Sequence, residues 1–330
     1  MPEAAARIAS PISSGAQTGL SLKSEGIERL HAKLQEGLRF GIGPFVVALK
    51  GRERKLAERL QAAYPDYPLA TSNAFADASL TVARNPGLSR HWWSTRVIRL
   101  EDGQVFTTFP EHATIAHLEW TLNWAIANRS HQFLMLHAGV LANAHGAVVL
   151  PAEPGAGKST LCAYLMHRGW RLLSDEFTLL RDESLEIFPF PRLLPIKNAS
   201  IAVIREYVPE ARFGPEIPGT HKGTVAHLQP PTDAIQRMHE TAIPRLMIFP
   251  RYTPGTPLEI TPVPRAQCFV EITQNAFNYV LRGEAGFRMA AALTERVRAF
   301  HLRYNDLERA ATALDELMCE AYGAREPSRR

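Results

Sequence analysis

The strongest constraint on how this chain can fold is the run Ala147-Val-Val-Leu-Pro-Ala-Glu153-Pro154-Gly155-Ala156-Gly157-Lys158-Ser159-Thr160-Leu-Cys-Ala-Tyr-Leu165. Its apolar, β-branched start reads as a buried strand. The Pro/Gly segment cannot continue that strand, and the apolar run after Gly-Lys-Ser reads as a helix. Strand, tight loop and helix must therefore form one α/β unit. Gly155 and Gly157 permit the positive φ and close backbone approach that a side chain would block. Loop N–H groups and the positive end of the helix then converge on one point, which is what a polyphosphate needs. Lys158 is placed to neutralise β- and γ-phosphates, and the Ser159 hydroxyl to ligate Mg²⁺. The spacing is that of a phosphate-binding loop with Ala152 in place of its first glycine. The reading is a nucleotide site made by Glu153, Pro154, Gly155, Ala156, Gly157, Lys158, Ser159 and Thr160, with ATP and Mg²⁺ as the expected cofactors.

Chemistry beyond binding requires a second metal-side carboxylate and a group that activates a nucleophile. Asp175-Glu176 follows the predicted strand Trp170–Leu173, so both acids fall at a strand's C-terminal edge, where α/β sheets bind ligands. There a carboxylate can hold Mg²⁺ or accept a proton from an attacking hydroxyl. The alternative is a turn residue and a helix cap. His137, within Leu136-His-Ala-Gly139, is on its own an ordinary core histidine.

Composition narrows the class. The 330 residues are 45% hydrophobic and 21% charged, which excludes a largely disordered or low-complexity chain. The best apolar run, Phe133 to Leu141, is broken by His137 and falls well short of the roughly 18 residues of a membrane span. Met1–Leu20 lacks the basic and apolar regions of a secretory signal. The 3 scattered cysteines, Cys162, Cys268 and Cys319, form no paired spacing. They fit a reducing cytoplasm and argue against a zinc site. A net charge of +4 with no block of like charge supports neither nucleic-acid nor membrane binding.

Along the chain, residues 1–20 read as a loose tail, 21–130 as a small α+β domain, 131–322 as the catalytic domain and 323–330 as a frayed tail. The first domain is expected to hold helices over Ile27–Leu38 and Lys55–Tyr64 and short strands at 45–49 and 80–83. Strands at 95–100 and 104–109 should form a hairpin around Glu101-Asp-Gly103, and a helix should run from Pro110 to about Asn128. In the second domain strands are expected at 133–141, 147–150, 170–173 and 177–180. A helix from Gly157 to about Arg168 should stop at Gly169. The proline-rich stretch 186–265 reads as short strands and long loops. Helices over Ala285–Arg298 and Leu307–Met318 close the chain. Trp92-Trp93, Trp120 and Trp124 suggest a binding platform, though the spacing of the last two suits core packing better.

The block from Leu136-His137-Ala-Gly139 through the loop, the helix ending in Arg168-Gly169 and the strand ending in Asp175-Glu176 resembles the catalytic core of HPr kinase/phosphorylase. It is closer still to the HPr-kinase-related kinases of bacterial gene clusters, which share a Phe-Pro-like segment, here Phe188-Pro-Phe-Pro-Arg192-Leu-Leu-Pro-Ile-Lys197-Asn198. The resemblance implies an α/β fold: a P-loop kinase core of HPr-kinase type, a mixed sheet with flanking helices, preceded by a small α+β N-terminal domain. It implies catalytic roles for Asp175, Glu176, His137 and Lys158, and Mg²⁺ binding by Ser159, Asp175 and Glu176. It further implies that Thr160 contacts phosphate or Mg²⁺, and that Arg192 and Lys197 are candidate phosphate or substrate contacts. Three departures stand out. The second acid is Glu, not Asp; the family's later glycine-rich loop has no match, Lys222-Gly-Thr-Val-Ala-His227-Leu being the nearest segment; and residues 1–130 do not resemble the family's N-terminal domain.

The leading reading is an ATP/Mg²⁺-dependent kinase acting on a serine of a partner protein or peptide. Alternatives are a kinase for a small-molecule hydroxyl such as a sugar or amino acid, and an ATP-sensing module without catalysis. The resemblance also implies a homo-oligomer.

Overall fold

The computed structural model describes residues 17–85, 95–106, 108–220 and 222–323. Most of the 1–20 tail, the Trp92-Trp93 pair and residues 324–330 lie outside the described residues. The described chain is α/β, with mixed sheets and flanking helices. It divides into two compact units. One holds the residues up to Ser130 together with Arg212–His239, and the other holds His131–Ala211 together with those from Glu240 onward.

The first unit begins with β1 (Gln17–Ser21), α1 (Ile27–Glu36), β2 (Leu38–Ile42), β3 (Phe45–Gly51) and α2 (Arg54–Ala63). It continues with β4 (Pro68–Ala70), β5 (Ala78–Arg84), β6 (Thr95–Leu100), β7 (Phe109–Pro110) and α3 (Thr114–Ala127). These strands make a seven-stranded sheet in the order β1-β4-β2-β3-β5-β6-β7. Within it β3 and β5 are parallel, and the other pairs are antiparallel. Helix α1 buries Leu30 and Leu34 on one face. It stops two residues before the expected Leu38 because Gly37, at φ 115°, returns its N–H to the Lys33 carbonyl. Leu38 then opens β2 instead. Of the expected hairpin strand 104–109, the described residues form a bridge from Val105 to Arg99 and, at Phe109, the start of β7. Pro110 precedes a single 3₁₀ turn, and the α-helix itself starts at Thr114.

The second unit opens with β8 (Phe133–Leu136), β9 (Ala138–Asn143), β10 (Gly146–Pro151), α4 (Lys158–Met166) and β11 (Arg171–Ser174). Next come β12 (Thr178–Arg181), β13 (Ile187–Phe188), β14 (Leu194–Lys197) and α5 (Ala199–Tyr207). The chain then contributes β15 (Ile217–Thr220), β16 (Gly223–Leu228) and α6 (Thr232–Gln236) to the first unit. It closes the second with β17 (Pro244–Tyr252), β18 (Glu259–Pro262), α7 (Arg265–Gln274), α8 (Tyr279–Arg296), β19 (Arg298–Tyr304) and α9 (Leu307–Gly323).

The main sheet of this unit runs β11-β9-β10-β17-β19-β18. Strand β9 is antiparallel to both β10 and β11, while β10, β17 and β19 are mutually parallel. The C-terminal ends of β10, β11, β17 and β19 therefore share one edge. Both faces of this sheet are covered. Ala147, Val149 and Met247 pack with Cys268 and Ile272 of α7 and with Met289, Ala290 and Leu293 of α8. Val148, Leu150, Leu246 and Ile248 point the other way by the strand's period of two, and α4 and α9 pack on that side of the sheet's strands. Double coverage is why the central strands are continuously apolar rather than alternating.

The stretch 186–265 departs most from expectation. Its core is β17, a nine-residue central strand, not a loop. Pro244 and Pro250 obscured it, yet Pro244 occupies the first position, where the missing N–H matters least. The closing region differs as well. The expected helix 285–298 begins earlier, with a break at Gly283 (φ 51°), and ends before β19. Residues 212–239, expected in the catalytic domain, belong to the first unit. Asp66 ties them there: its Oδ2 accepts from Thr232 (2.8 Å) and Arg212 (3.3 Å), and its Oδ1 from Lys23 (2.6 Å).

Burial works against ionisation of Asp66, but Lys23, Thr232 and Arg212 together hold its carboxyl below the ordinary value. A lowered folded-state pKa contributes stability that is present above about pH 4 and lost as pH falls through the folded value. Asp66→Asn should lower the unfolding free energy by about 1–3 kcal/mol near neutral pH. It should also flatten the acid limb of stability against pH in urea titrations. An unchanged acid limb would remove Asp66 from this role.

Candidate functional site

The shared sheet edge assembles the site. Pro151 ends β10, the glycine-rich loop follows, and Lys158 is the first residue of α4. That helix is apolar on every side, with Leu161 through Met166 buried, so it lies inside the unit and aims its N-terminus at the edge. Gly157 is its N-cap in the left-handed region (φ 91°, ψ 3°), and Gly155 has φ 89°. A Cβ on Gly157 would sit 2.6 Å from the Tyr304 hydroxyl and 2.9 Å from the Tyr252 Cβ. The Tyr304 hydroxyl donates to the Gly157 carbonyl (3.2 Å), and the Tyr252 N–H to that of Ala156 (2.9 Å). The ends of β17 and β19 thus fix the back of the loop, while around Gly155 a Cβ would meet open space. Glu153 and Pro154 are exposed, and Ala156 and Ser159 half-buried.

Helix α4 carries the chain from β10 across β9 to β11, so Asp175 emerges at the same edge as Lys158. Their side chains are buried against each other, with Lys158 Nζ donating to Asp175 Oδ1 (3.0 Å) and to the Asp175 carbonyl. Burial disfavours the Lys158 ammonium, yet the carboxylates of Asp175 and Glu176 outweigh it and its pKa is raised. Asp175 Oδ2 is buried and has no hydrogen-bond partner. An orphaned carboxylate oxygen in that setting is unusual, and such atoms concentrate where a ligand or catalytic task accounts for them.

His137 lies between β8 and β9, beside the Ala138–Pro151 pair that ends the β9–β10 ladder. Its N–H donates to the Asn275 carbonyl (2.7 Å), and its ring stands edge-on to Phe277. Nδ1 is 3.8 Å from Glu176 Oε2. Burial, then the Lys158 charge, lowers the imidazole's pKa. Loop, Lys158, Asp175, Glu176 and His137 are thus gathered at one place. Thr160 turns elsewhere, its hydroxyl donating to Ser200 Oγ (2.9 Å). Arg192 is buried with its guanidinium 5.0 Å from the Phe190 ring centre, and Lys197 ends β14. Within segment 222–228, Lys222 is a turn residue and Gly223–Leu228 forms β16 of the first unit.

Four residues escaped sequence reading: Gly139, Cys162, Tyr252 and Tyr304. The tyrosines end two strands that the prolines and a neighbouring helical pattern concealed. The Cys162 thiol is buried against Asp175, and its pKa is pushed well up by burial and by that charge. Burial likewise raises the Tyr304 phenol. A Cβ on Gly139 would collide with Cys162 Sγ and touch Asp175 Oδ1 and Lys158 Cγ at 3.5 Å. A cleft of about 670 Å³ adjoins the loop, walled by Glu153–Ala156, the end of β17 and α7.

No family model matches the chain, and no curated protein matches it. Among solved structures it is similar to the Hpr(Ser) kinase/phosphatase from Coxiella burnetii. The two are 12% identical over 58% of this chain and 99% of that one, with a TM-score of 0.26. Likeness at that level carries no weight for the chemistry. Among the described residues no helix is long and apolar enough to cross a membrane.

Gly139→Ala should destabilise the protein by about 1–3 kcal/mol through overpacking against Cys162. The double variant Gly139→Ala/Cys162→Ala should regain part of that loss in chemical denaturation. Additive losses would show that the two sites do not share the crowded contact.

Proposed function

We propose that the protein is an ATP- and Mg²⁺-dependent kinase that transfers the γ-phosphoryl group to a hydroxyl, foremost a serine of a partner protein or peptide. One observation carries the reading. A buried lysine at the start of a glycine-capped helix is paired with a buried carboxylate whose second oxygen has no partner. A module that only senses nucleotide needs the loop and the lysine, but not an orphaned carboxylate beside them.

The donor set suits Mg²⁺, which takes oxygen ligands and is commonly held by one or two carboxylates together with substrate phosphates. Asp175 Oδ2, the Ser159 hydroxyl and Glu176 supply that chemistry. No all-protein cage of three or more His, Cys, Asp or Glu side chains exists among the described residues. When bound, ATP supplies the transferable group, and Mg²⁺ offsets charge on its oxygens. The chain's own residues do the rest. Loop amides and the α4 N-terminus bind phosphate oxygens. Lys158 exchanges Asp175 for phosphate as its partner, and the released carboxylate orients an acceptor hydroxyl or takes its proton. His137, its pKa lowered chiefly by burial, stands with Nδ1 3.8 Å from Glu176 Oε2, beyond direct hydrogen-bonding distance, and packs beside that carboxylate.

A second reading keeps the transfer but assigns a small-molecule hydroxyl as acceptor. The cleft of about 670 Å³ beside the loop has the size of a small-ligand site and can take the nucleotide or such an acceptor alike.

The deciding experiment follows label from γ-labelled ATP with Mg²⁺ into an extract of the source cells, separated into macromolecular and small-molecule fractions. Label in protein or peptide supports the leading reading, and label in a metabolite supports the second. No acceptor in either, with nucleotide still bound, leaves a sensor or a hydrolase. Lys158→Ala should abolish transfer and weaken nucleotide binding. It also strands Asp175 as a buried charge at a cost of about 3–5 kcal/mol, so its folded fraction is measured first and Lys158→Arg is run beside it. Asp175→Asn should bind ATP yet lose about 10²–10⁴-fold in transfer. Normal turnover in that variant would remove Asp175 from the reaction. His137→Ala should lose less, about tenfold. Unfolding of that variant would return His137 to a purely structural role.

A further inference from the structure

The first unit contains a second cleft, of about 700 Å³, at the C-terminal ends of the parallel strands β3 and β5 and the start of α2. In open α/β sheets this is where ligands bind. Six cations line it: Lys50, Arg52, Arg59, Arg84, Arg96 and Arg99, against one lining carboxylate, Glu53.

Half of these cations are already spoken for. Buried Arg96 bridges Glu53 (2.7 Å) and Glu111 (2.9 Å), Arg84 pairs with Glu53 (2.7 Å), and Arg59 with Glu111 (3.0 Å). This network braces one wall. Lys50, Arg52 and Arg99 remain, all exposed, and none has an acidic partner among the described residues. Like charges gathered without counter-charge repel one another, and an anionic ligand relieves that repulsion.

The register says what shape of anion fits. Lys50 pairs with Thr81 across β3–β5, and Thr81 with Arg99 across β5–β6. Lys50 and Arg99 therefore stand in one row, two strand spacings or about 10 Å apart. That separation matches about three residues of an extended polypeptide. It suits spaced carboxylates better than one compact phosphate, which needs donors converging on a point. Nucleic acid fits less well, since no described lining residue is aromatic and no stacking platform is offered. Ala83, two residues from Thr81 and so on the same face, gives the row an apolar neighbour.

We infer that this cleft binds an acidic segment of a partner polypeptide. The segment's carboxylates meet Lys50, Arg52 and Arg99, and the Glu53–Arg96–Glu111 network braces the opposite face of the same strands.

The test is fluorescence anisotropy of fluorescein-labelled hexaglutamate with the full chain and no nucleotide, so its outcome is separate from that of phosphoryl transfer. At roughly 50 mM salt, where screening is mild, the triple variant Lys50→Gln/Arg52→Gln/Arg99→Gln should weaken binding by about tenfold or more. A control of equal charge loss, Arg288→Gln/Arg298→Gln/Arg303→Gln, alters exposed arginines of the second unit and should stay within about twofold of the parent. Should the triple variant prove unfolded by circular dichroism, the three single substitutions replace it, each expected to cost about two- to threefold. Three results would overturn the inference: parental affinity in the triple variant, an equal loss in the control, or displacement of the probe by inorganic phosphate or oligothymidylate at lower concentration than by unlabelled hexaglutamate.

Discussion

The ammonium of Lys158 and the carboxylate of Asp175 are both withdrawn from water, and each is tolerated there because of the other. Taking either ion out of water costs several kcal/mol, and a close pair recovers that only with good geometry and satisfied neighbours. Here the satisfaction is incomplete, since Asp175 Oδ2 has no partner. The pair also dictates its surroundings. A Cβ at position 139 would collide with Cys162 Sγ and lie in van der Waals contact with Asp175 and Lys158, so glycine keeps this spot beside the pair uncrowded. The main sheet places β9 between β10 and β11, so α4 must cross it to bring the two charges together.

Stability and binding capacity draw on the same features. A buried helix capped by a left-handed glycine leaves its first amides free of intrahelical partners. Those amides and the orphaned oxygen are groups whose needs the folded chain leaves open, whereas the Lys158 ammonium is met by Asp175. Tyr252 and Tyr304 brace the loop from behind, so this openness is confined to its outer side. The loop is held where it meets the sheet and open on its outer side, and one unsatisfied carboxylate oxygen is buried beside Lys158. That is the condition for binding a charged ligand without reorganising the fold.

Much of the second unit was legible because its signals are local. The strand–loop–helix run, the acids after β11 and the histidine before β9 all fall within about forty residues, where strand and helix periods can be read directly. Further along, the signals conflict. Prolines at 244 and 250 argued for a loop, yet the sheet's demand for a central strand between β10 and β19 prevailed. Helical spacing through 285–298 masked the alternation of Arg298–Tyr304, whose buried residues, Phe300, Leu302 and Tyr304, fall on one face. What retains residues 212–239 in the first unit, Asp66 with Thr232 and Arg212, joins positions more than a hundred and forty apart and leaves no local signal in the sequence.

Local stereochemistry and polarity, both properties of short segments, determined from the sequence alone that a glycine-rich loop would join a strand to a helix with Lys158 at its start and paired acids after the next strand. Only the tertiary structure decided that Lys158 and Asp175 would neutralise each other, that one carboxylate oxygen would be left over, and that two tyrosines from distant strands would brace the loop. It also decided that cations scattered over β3, β5 and β6 would gather in one cleft. Those outcomes depend on which strands become neighbours, and strand order follows from burying the whole apolar surface at once.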